Sequence, residues 1–163
     1  MPGLFWIVAW LLLVALAIGA FFGAPYLPIL SSEQRRLLRD LDLKPGQSII
    51  DLGSGDGRLL LAAAKLGIRA TGYEISPILW LISVLRTWPY RKLVRVKLGN
   101  FWNLDWPPAD VVYLFLITRY MSKIEGQLAK RLTSPTVVVS YAFALPSRKL
   151  WKKKGAAFLY RYP

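Results

Sequence analysis

The sequence predicts a doubly wound α/β fold: a mostly parallel sheet with helices on both faces, preceded by an N-terminal transmembrane helix. Three observations carry this expectation. Short apolar or alternating runs recur between helix-like segments from Ser48 onward. The first run leads into alternating glycines, Gly53, Gly55 and Gly57, with a carboxylate, Asp51, just ahead of them. Finally, no charged side chain precedes Glu33.

Leu4 to Ala24 is 21 residues without a charge or a strong breaker. As a helix it is about 31 Å long, close to the hydrocarbon thickness of a bilayer. Between Leu4 and Phe22, twelve residues are Leu, Ile, Val or Phe. Together they favour insertion by about 4–7 kcal/mol. Trp6 and Trp10 near one end, and Tyr26 past the other, suit interfacial anchors. A cleaved signal peptide is the competing reading. Gly19-Ala20 and Gly23-Ala24 offer it small residues, but it lacks a basic n-region and its apolar run is too long. Arg35, Arg36 and Arg39 follow the segment, and the positive-inside tendency then puts the remainder in the cytoplasm. This reading gives a single-pass protein of a bacterial inner membrane or its equivalent. Residues 1–30 are anchor and connector, and residues 31–163 are one domain.

Pro25 and Pro28 stiffen the connector. Ser31 with Gln34 forms a capping-box pattern opening a short helix to about Leu41. Lys44-Pro45-Gly46 is a turn. Ser48–Leu52 reads as a buried strand, followed by a helix from Asp56 or Gly57 to about Lys65, with Gly67 as its stop. Arg69–Glu74 is a second strand. Ser76-Pro77 pairs an N-cap with a first-turn proline, and that helix runs to about Thr87. Val94, Val96 and Leu98 alternate with Arg95 and Lys97, which gives a third strand with one wet face. The apolar run Asp110–Ile117 reads as a central strand. Ser122–Leu132 is helical, Thr136–Ala142 is a strand, and Ala156–Tyr162 is the last. Strands alternating with helices give the doubly wound class. Only 22 residues follow Tyr141, so about six strands are expected.

Composition excludes several chemistries. The chain has 163 residues with no cysteine and no histidine. Disulfides, Cys/His zinc sites, cysteine nucleophiles and Ser-His-Asp triads are ruled out, and nine acids spread along the chain give no expectation of a metal. The net charge is +13, so the surface is drawn to something acidic: anionic lipid, nucleic acid or an acidic protein.

The glycine turn sits where an open parallel sheet holds its ligand, beyond the carboxyl end of the first strand. It is not a dinucleotide fingerprint, because Arg58 stands at the third glycine position, and it lacks the Gly-Lys-Ser/Thr ending of a P-loop. Ile49, Ile50, Asp51, Gly53, Gly55 and Gly57 instead resemble the first motif of the Rossmann-like, seven-strand S-adenosylmethionine-dependent methyltransferases. Glu74 ends the second strand, 23 residues after Asp51, where that family places the acid that grips the ribose hydroxyls. Asn100 follows the third strand, where the family usually has an Asp that meets the adenine amino group. The resemblance implies S-adenosyl-L-methionine as cofactor, contacted by Asp51, Gly53, Ser54, Gly55, Gly57, Glu74 and Asn100. Ile75 and Phe101 suit the two faces of adenine. Backbone N–H groups of the turn, at a helix start, are expected to face the cofactor carboxylate.

The apolar N-terminus, "PYLP", "DLGSGDGR" and "GYEISP" together resemble the small membrane-anchored protein-lysine methyltransferases. In mitochondria, members of that family modify the c-subunit of ATP synthase and adenine nucleotide translocase. This implies a lysine acceptor on a membrane or membrane-proximal protein. A small-molecule, lipid or RNA methyltransferase with the same cofactor site, or a non-catalytic cofactor-binding membrane scaffold, are the alternatives. Phe115, Leu116 and Thr118 after the fourth strand, with Tyr26 in the connector, are the expected acceptor side. No general base is assigned, because desolvation alone lowers the pKa of an amine.

Arg86, Arg91, Lys92, Arg95 and Lys97 form one basic group; Arg148, Lys149, Lys152, Lys153 and Lys154 form another around Trp151. A solvated face, an anionic lipid surface and nucleic acid are the three readings. "LFLITRY" after the fourth strand lacks the Asn/Asp-Pro-Pro-aromatic motif of base amino methylation, which weighs against that chemistry only. Ile78–Leu85 is apolar on nearly every side, which suits burial or contact with a membrane.

Overall fold

The computed structural model describes residues 3, 5–7, 10 and 31–163. The elements in order are α1 (Ser31–Asp40), β1 (Ser48–Leu52), α2 (Arg58–Lys65), β2 (Arg69–Glu74), α3 (Pro77–Thr87), β3 (Val94–Leu98), β4 (Val111–Leu114), α4 (Met121–Arg131), β5 (Thr136–Tyr141), β6 (Lys152–Lys154) and β7 (Ala157–Tyr162). Short 3₁₀ turns follow α3 at Trp88–Tyr90 and precede α4 at Thr118–Tyr120.

One sheet runs in the order β3-β2-β1-β4-β5-β7-β6. The pairs among β1 to β5 are parallel, and β7 runs antiparallel to both β5 and β6. The sheet has seven strands, which corrects the expected six. The missed strand, β6, is three lysines with no apolar alternation to mark it. Its register against Ala157, Phe158 and Leu159 comes from the backbone ladder rather than from a buried face.

The second correction concerns the N-terminus. No helix among the described residues is long and apolar enough to cross a membrane. A span needs about 20 consecutive helical residues; at this end the described residues are Gly3, Phe5, Trp6, Ile7 and Trp10, which are helical and exposed. The expected transmembrane helix is thus not supported. Most of Leu4–Ala24, the Pro25–Pro28 connector with Tyr26, and the Ser31 side chain of the expected capping box lie outside the described residues.

The alternation along each strand divides the core in two. Ile49, Val111, Tyr113 and Val139 face Leu37, Leu38, Leu59, Leu60 and Ala63 of α1 and α2. Ile50, Leu52, Val112, Leu114 and Val138 face Met121, Ile124 and Leu128 of α4. β4 is shorter than the apolar run around it, because the chain leaves the ladder after Leu114 to enter the 3₁₀ turn. Leu116 nonetheless stays buried, in the α4 cluster.

At the amino ends of β1 and β4, Asp110 fastens the two strands together. Its carboxylate accepts from the Ser48 N–H (2.7 Å), the Ser48 hydroxyl (2.8 Å) and the Gln47 side-chain amide (3.0 Å). These bonds hold its pKa below the ordinary carboxylate value, against the opposing effect of burial.

Gly57, the residue before α2, has φ +79°. A Cβ there would lie 2.2 Å from Ser83 Oγ and 3.1 Å from Ser83 Cα, so α2 and α3 meet where no methyl fits. Gly57→Ala adds left-handed backbone strain to overpacking, a cost of about 2–4 kcal/mol. The expected result is a thermal midpoint lowered by roughly 5–15 °C. Adding Ser83→Gly should recover the steric part only. An unchanged midpoint in Gly57→Ala would show that the contact yields freely.

Candidate functional site

The order of strands reverses between β1 and β4, and the carboxyl ends of β1, β2 and β4 open onto one edge of the sheet. Ligands of open α/β sheets bind at such a switch point. Asp51 lies one residue from the end of β1, between Gly72 of β2 and Tyr113 of β4. The chain then turns through Gly53, which is exposed, has φ +109°, and would place a Cβ against nothing within 4 Å. Glycine is required there by conformation, and the space above it is open.

The turn is built against β2. The N–H groups of Gly53 and Ser54 both donate to the Tyr73 carbonyl, at 3.0 and 2.9 Å, and the Gly57 N–H donates to the Ser54 carbonyl at 3.0 Å. The Gly55 N–H donates to Glu74 Oε2 at 2.8 Å. The amides of Gly53, Ser54, Gly55 and Gly57 are therefore committed within the protein. Ser54 is also turned inward: its Oγ would lie 2.6 Å from a Cβ at Gly72.

Glu74 points back across the turn. Its second oxygen, Oε1, accepts the Ser76 N–H at 2.8 Å. One carboxylate thus ties the glycine turn to the start of α3, where Ser76 caps the Leu79 N–H. Each oxygen retains a lone pair for a hydroxyl donor. Burial raises the pKa of Glu74, and the amides of Ser76, Gly55 and Ile75 only partly offset it. Asp51, 4% exposed, is pushed up to about 8, first by burial and then by the neighbouring Glu74 charge. A cation placed beside this acid pair would reverse that shift.

Ile75 is half-buried beside Glu74. Asn100 follows β3, and its Oδ1 accepts the Trp102 N–H at 3.1 Å. Phe101 is half-buried, with its ring centroid 4.6 Å from that of Trp102 and 6.5 Å from that of Trp106. Arg131 holds this loop from α4: its guanidinium donates to the carbonyls of Leu104 (2.6 Å) and Trp102 (2.7 Å) and stacks on Trp106.

On the α1 side, Phe115 is half-buried and meets Tyr141 edge-on, with ring centroids 5.4 Å apart. Leu116 points to the opposite core, and Thr118 is exposed. Sequence reasoning missed the companions of Phe115. Glu33 of α1 accepts the Tyr141 hydroxyl bond. The Tyr113 hydroxyl is buried without a partner among the described residues, and that burial, followed by the nearby Asp51, Tyr141 and Glu33, disfavours its ionisation. Glu33 and Tyr141 are 108 positions apart, and no local pattern signals their meeting.

A sheet of this order, with one antiparallel strand inserted next to the last and an acidic glycine turn at the switch point, defines the Rossmann-like S-adenosylmethionine-dependent methyltransferases. The model of the ANTKMT methyltransferase domain matches residues 51–152, and the chain belongs to that family. The lysine N-methyltransferase of the ATP synthase c-subunit from Xenopus laevis is 31% identical over 127 residues, covering 76% of this chain and 55% of its own length. This chain thus spans about half of that relative. A protein-lysine N-methyltransferase of Saccharolobus islandicus is 30% identical over 128 residues, 74% of this chain and 78% of its own. Among solved structures, an RNA methyltransferase from Salinibacter ruber in complex with S-adenosyl-L-homocysteine superposes with a TM-score of 0.74 at 28% identity, covering 83% of this chain and 92% of its own. S-adenosyl-L-methionine is the cofactor of this class, and the site suits it. The open glycine turn, a carboxylate for hydroxyl donors and a second acid for a cation match its chemistry.

The raised pKa of Asp51 has a stability consequence. A carboxyl that binds its proton more tightly when folded contributes stability that is complete below its unfolded pKa of 3.8 and lost as pH rises through about 8. Without ligand, Asp51→Asn should therefore unfold at a higher temperature than the parent, by a margin that widens from acid toward pH 8. A constant margin across that range would place the Asp51 titration elsewhere.

Proposed function

We propose that the protein transfers the methyl group of S-adenosyl-L-methionine to a lysine ε-amine of a membrane or membrane-proximal protein. The observation that carries this reading is the buried pair Asp51 and Glu74 at the ends of adjacent parallel strands, beside an open glycine turn. Relatives named for lysine methylation of the ATP synthase c-subunit support the acceptor class.

Glu74 would receive the ribose hydroxyls on its remaining lone pairs, and Asp51 would face the cofactor ammonium. Ile75 and Phe101 would flank the adenine, with Asn100 at its edge. When bound, the cofactor supplies an electrophilic methyl on a sulfonium. The chain must then hold a neutral amine in line with it, about 3 Å away, and exclude water. A lysine ammonium with a pKa near 10.4 has to lose its proton first. Phe115 and Tyr141 offer aromatic faces to the side chain, and the Glu33 carboxylate beside Tyr141 draws the incoming ammonium. Desolvation against the Phe115 ring favours the neutral amine and opposes the pull of Glu33 on the ammonium, and the proton leaves to solvent before water is excluded.

A second reading, RNA as acceptor, has its own support. Phe101, Trp102, Trp106 and Tyr120 cluster beside Arg119, Lys123 and Arg131, with Lys123 over Trp102 and Arg119 over Tyr120. Aromatic rings among cations suit stacked bases, and the Salinibacter ruber neighbour is named an RNA methyltransferase.

Three measurements test the proposal. Calorimetry should show S-adenosylmethionine binding, weakened roughly 30-fold or more in Glu74→Gln; unaltered affinity would remove Glu74 from the site. Tyr141→Phe and Glu33→Gln should lower methyl transfer about tenfold while leaving cofactor affinity within about twofold. Loss of both together would assign the pair to the cofactor instead. Labelled methyl incubated with whole-cell fractions should appear in membrane protein, whereas label confined to RNA would establish the second reading.

A further inference from the structure

The outer face of α3 is apolar where a solvated helix is polar. Leu81, Ile82 and Leu85 are 50%, 39% and 65% exposed, and Trp88, one turn on, is 58% exposed. At 100° per residue these four fall on one stripe. Leu98, at the carboxyl end of the neighbouring edge strand β3, is 47% exposed. Two anchors fix the helix so that this stripe cannot turn inward. Trp80 donates its indole N–H to the Val96 carbonyl of β3 at 3.1 Å, and Ser83 packs against Gly57. Scattered exposed apolar residues are ordinary; four on one stripe with a fifth on the adjoining sheet edge mark an interaction surface.

The charge around the stripe selects the partner. Between Glu74 and Asp105 the sequence has no acid and five cations: Arg86, Arg91, Lys92, Arg95 and Lys97. Arg86 is committed to Asp56. Arg91 and Lys92, just past the stripe, are exposed, and Arg91 lies over the Trp88 ring at 5.3 Å. Arg95 and Lys97 are exposed on the other face of the edge strand β3, where Lys97 lies over the Tyr73 ring at 5.3 Å. An apolar stripe rimmed by cations, with a tryptophan at the boundary, is the pattern of a surface that lies in a lipid headgroup layer. A protein partner would have to bring a large acidic rim of its own, and a second copy of this face would repel it.

We propose that the α3–β3 edge docks on an anionic bilayer surface, with Leu81, Ile82, Leu85, Trp88 and Leu98 in the interfacial layer and Arg91 and Lys92 on lipid phosphates. Leu98 ends β3 on the edge where the strands open toward the glycine turn, so docking brings that opening close to the lipid. The inference stands apart from the methyl-transfer reading, since it rests on a face outside the crevice.

The absence of cysteine makes a clean test possible. Leu85→Cys and, on the opposite layer, Lys130→Cys of α4 each give a single thiol in the full chain. Each is labelled with nitrobenzoxadiazole and mixed with vesicles of phosphatidylcholine alone or with added phosphatidylglycerol. The expected result is a blue shift and brightening at position 85 only, only with phosphatidylglycerol, and reversed by high salt. Arg91→Ala with Lys92→Ala should lower the vesicle partition coefficient about thirtyfold. Equal shifts at 85 and 130 would overturn the assignment of this face. A shifted spectrum at 85 before vesicles are added would identify a second copy or the apolar N-terminal residues as the occupant. An equal response on phosphatidylcholine would remove the role of charge.

Discussion

One buried carboxylate sets the geometry of the crevice. Glu74 stands at the end of β2 and accepts backbone amides from two different turns, Gly55 after β1 and Ser76 before α3. Withdrawing a carboxylate from water is costly unless hydrogen bonds replace the lost hydration. Here the replacement comes from the main chain, so the acid and the turn hold one another in place. Asp51 has no such relief and keeps its proton to a higher pH. Burial raises both acids in the hollow, and main-chain amides partly relieve only Glu74.

The fold was legible wherever burial imposes a period. β1, β2, β3 and α3 have the bounds that alternation, capping and the first-turn proline imply. The strand expected over Asp110–Ile117 stops at Leu114, because an apolar run records burial and not hydrogen bonding: Leu116 stays in the core after the ladder has ended. β6 was invisible for the converse reason, since its three lysines bury no face and pair through the backbone alone. The expected N-terminal span falls mostly outside the described residues, among which no helix is long and apolar enough to cross a membrane.

The site divides along the same line. Asp51, the glycines and Glu74 could be found because their chemistry follows a spacing along one βαβ unit. What the turn does with its amides could not, because Tyr73 and Glu74 claim them across the sheet. Glu33, Tyr113 and Tyr141 were hidden more deeply. They come from α1, β4 and β5 and meet only when those elements stack. Ser54 fits the motif's spacing yet turns toward Gly72, a choice of rotamer that spacing does not encode.

The two ends of the central strands are built differently. At the amino ends, the Asp110 carboxylate gathers Ser48 and Gln47, so β1 and β4 are stitched at the spine. At the carboxyl ends the same two strands diverge, one into the glycine loop and the other into a 3₁₀ turn. A sheet bound on one margin and open on the other behaves like a hinged cover. Accommodation of a guest is then confined to the loops at the open margin, and the frame beneath need not deform to admit it.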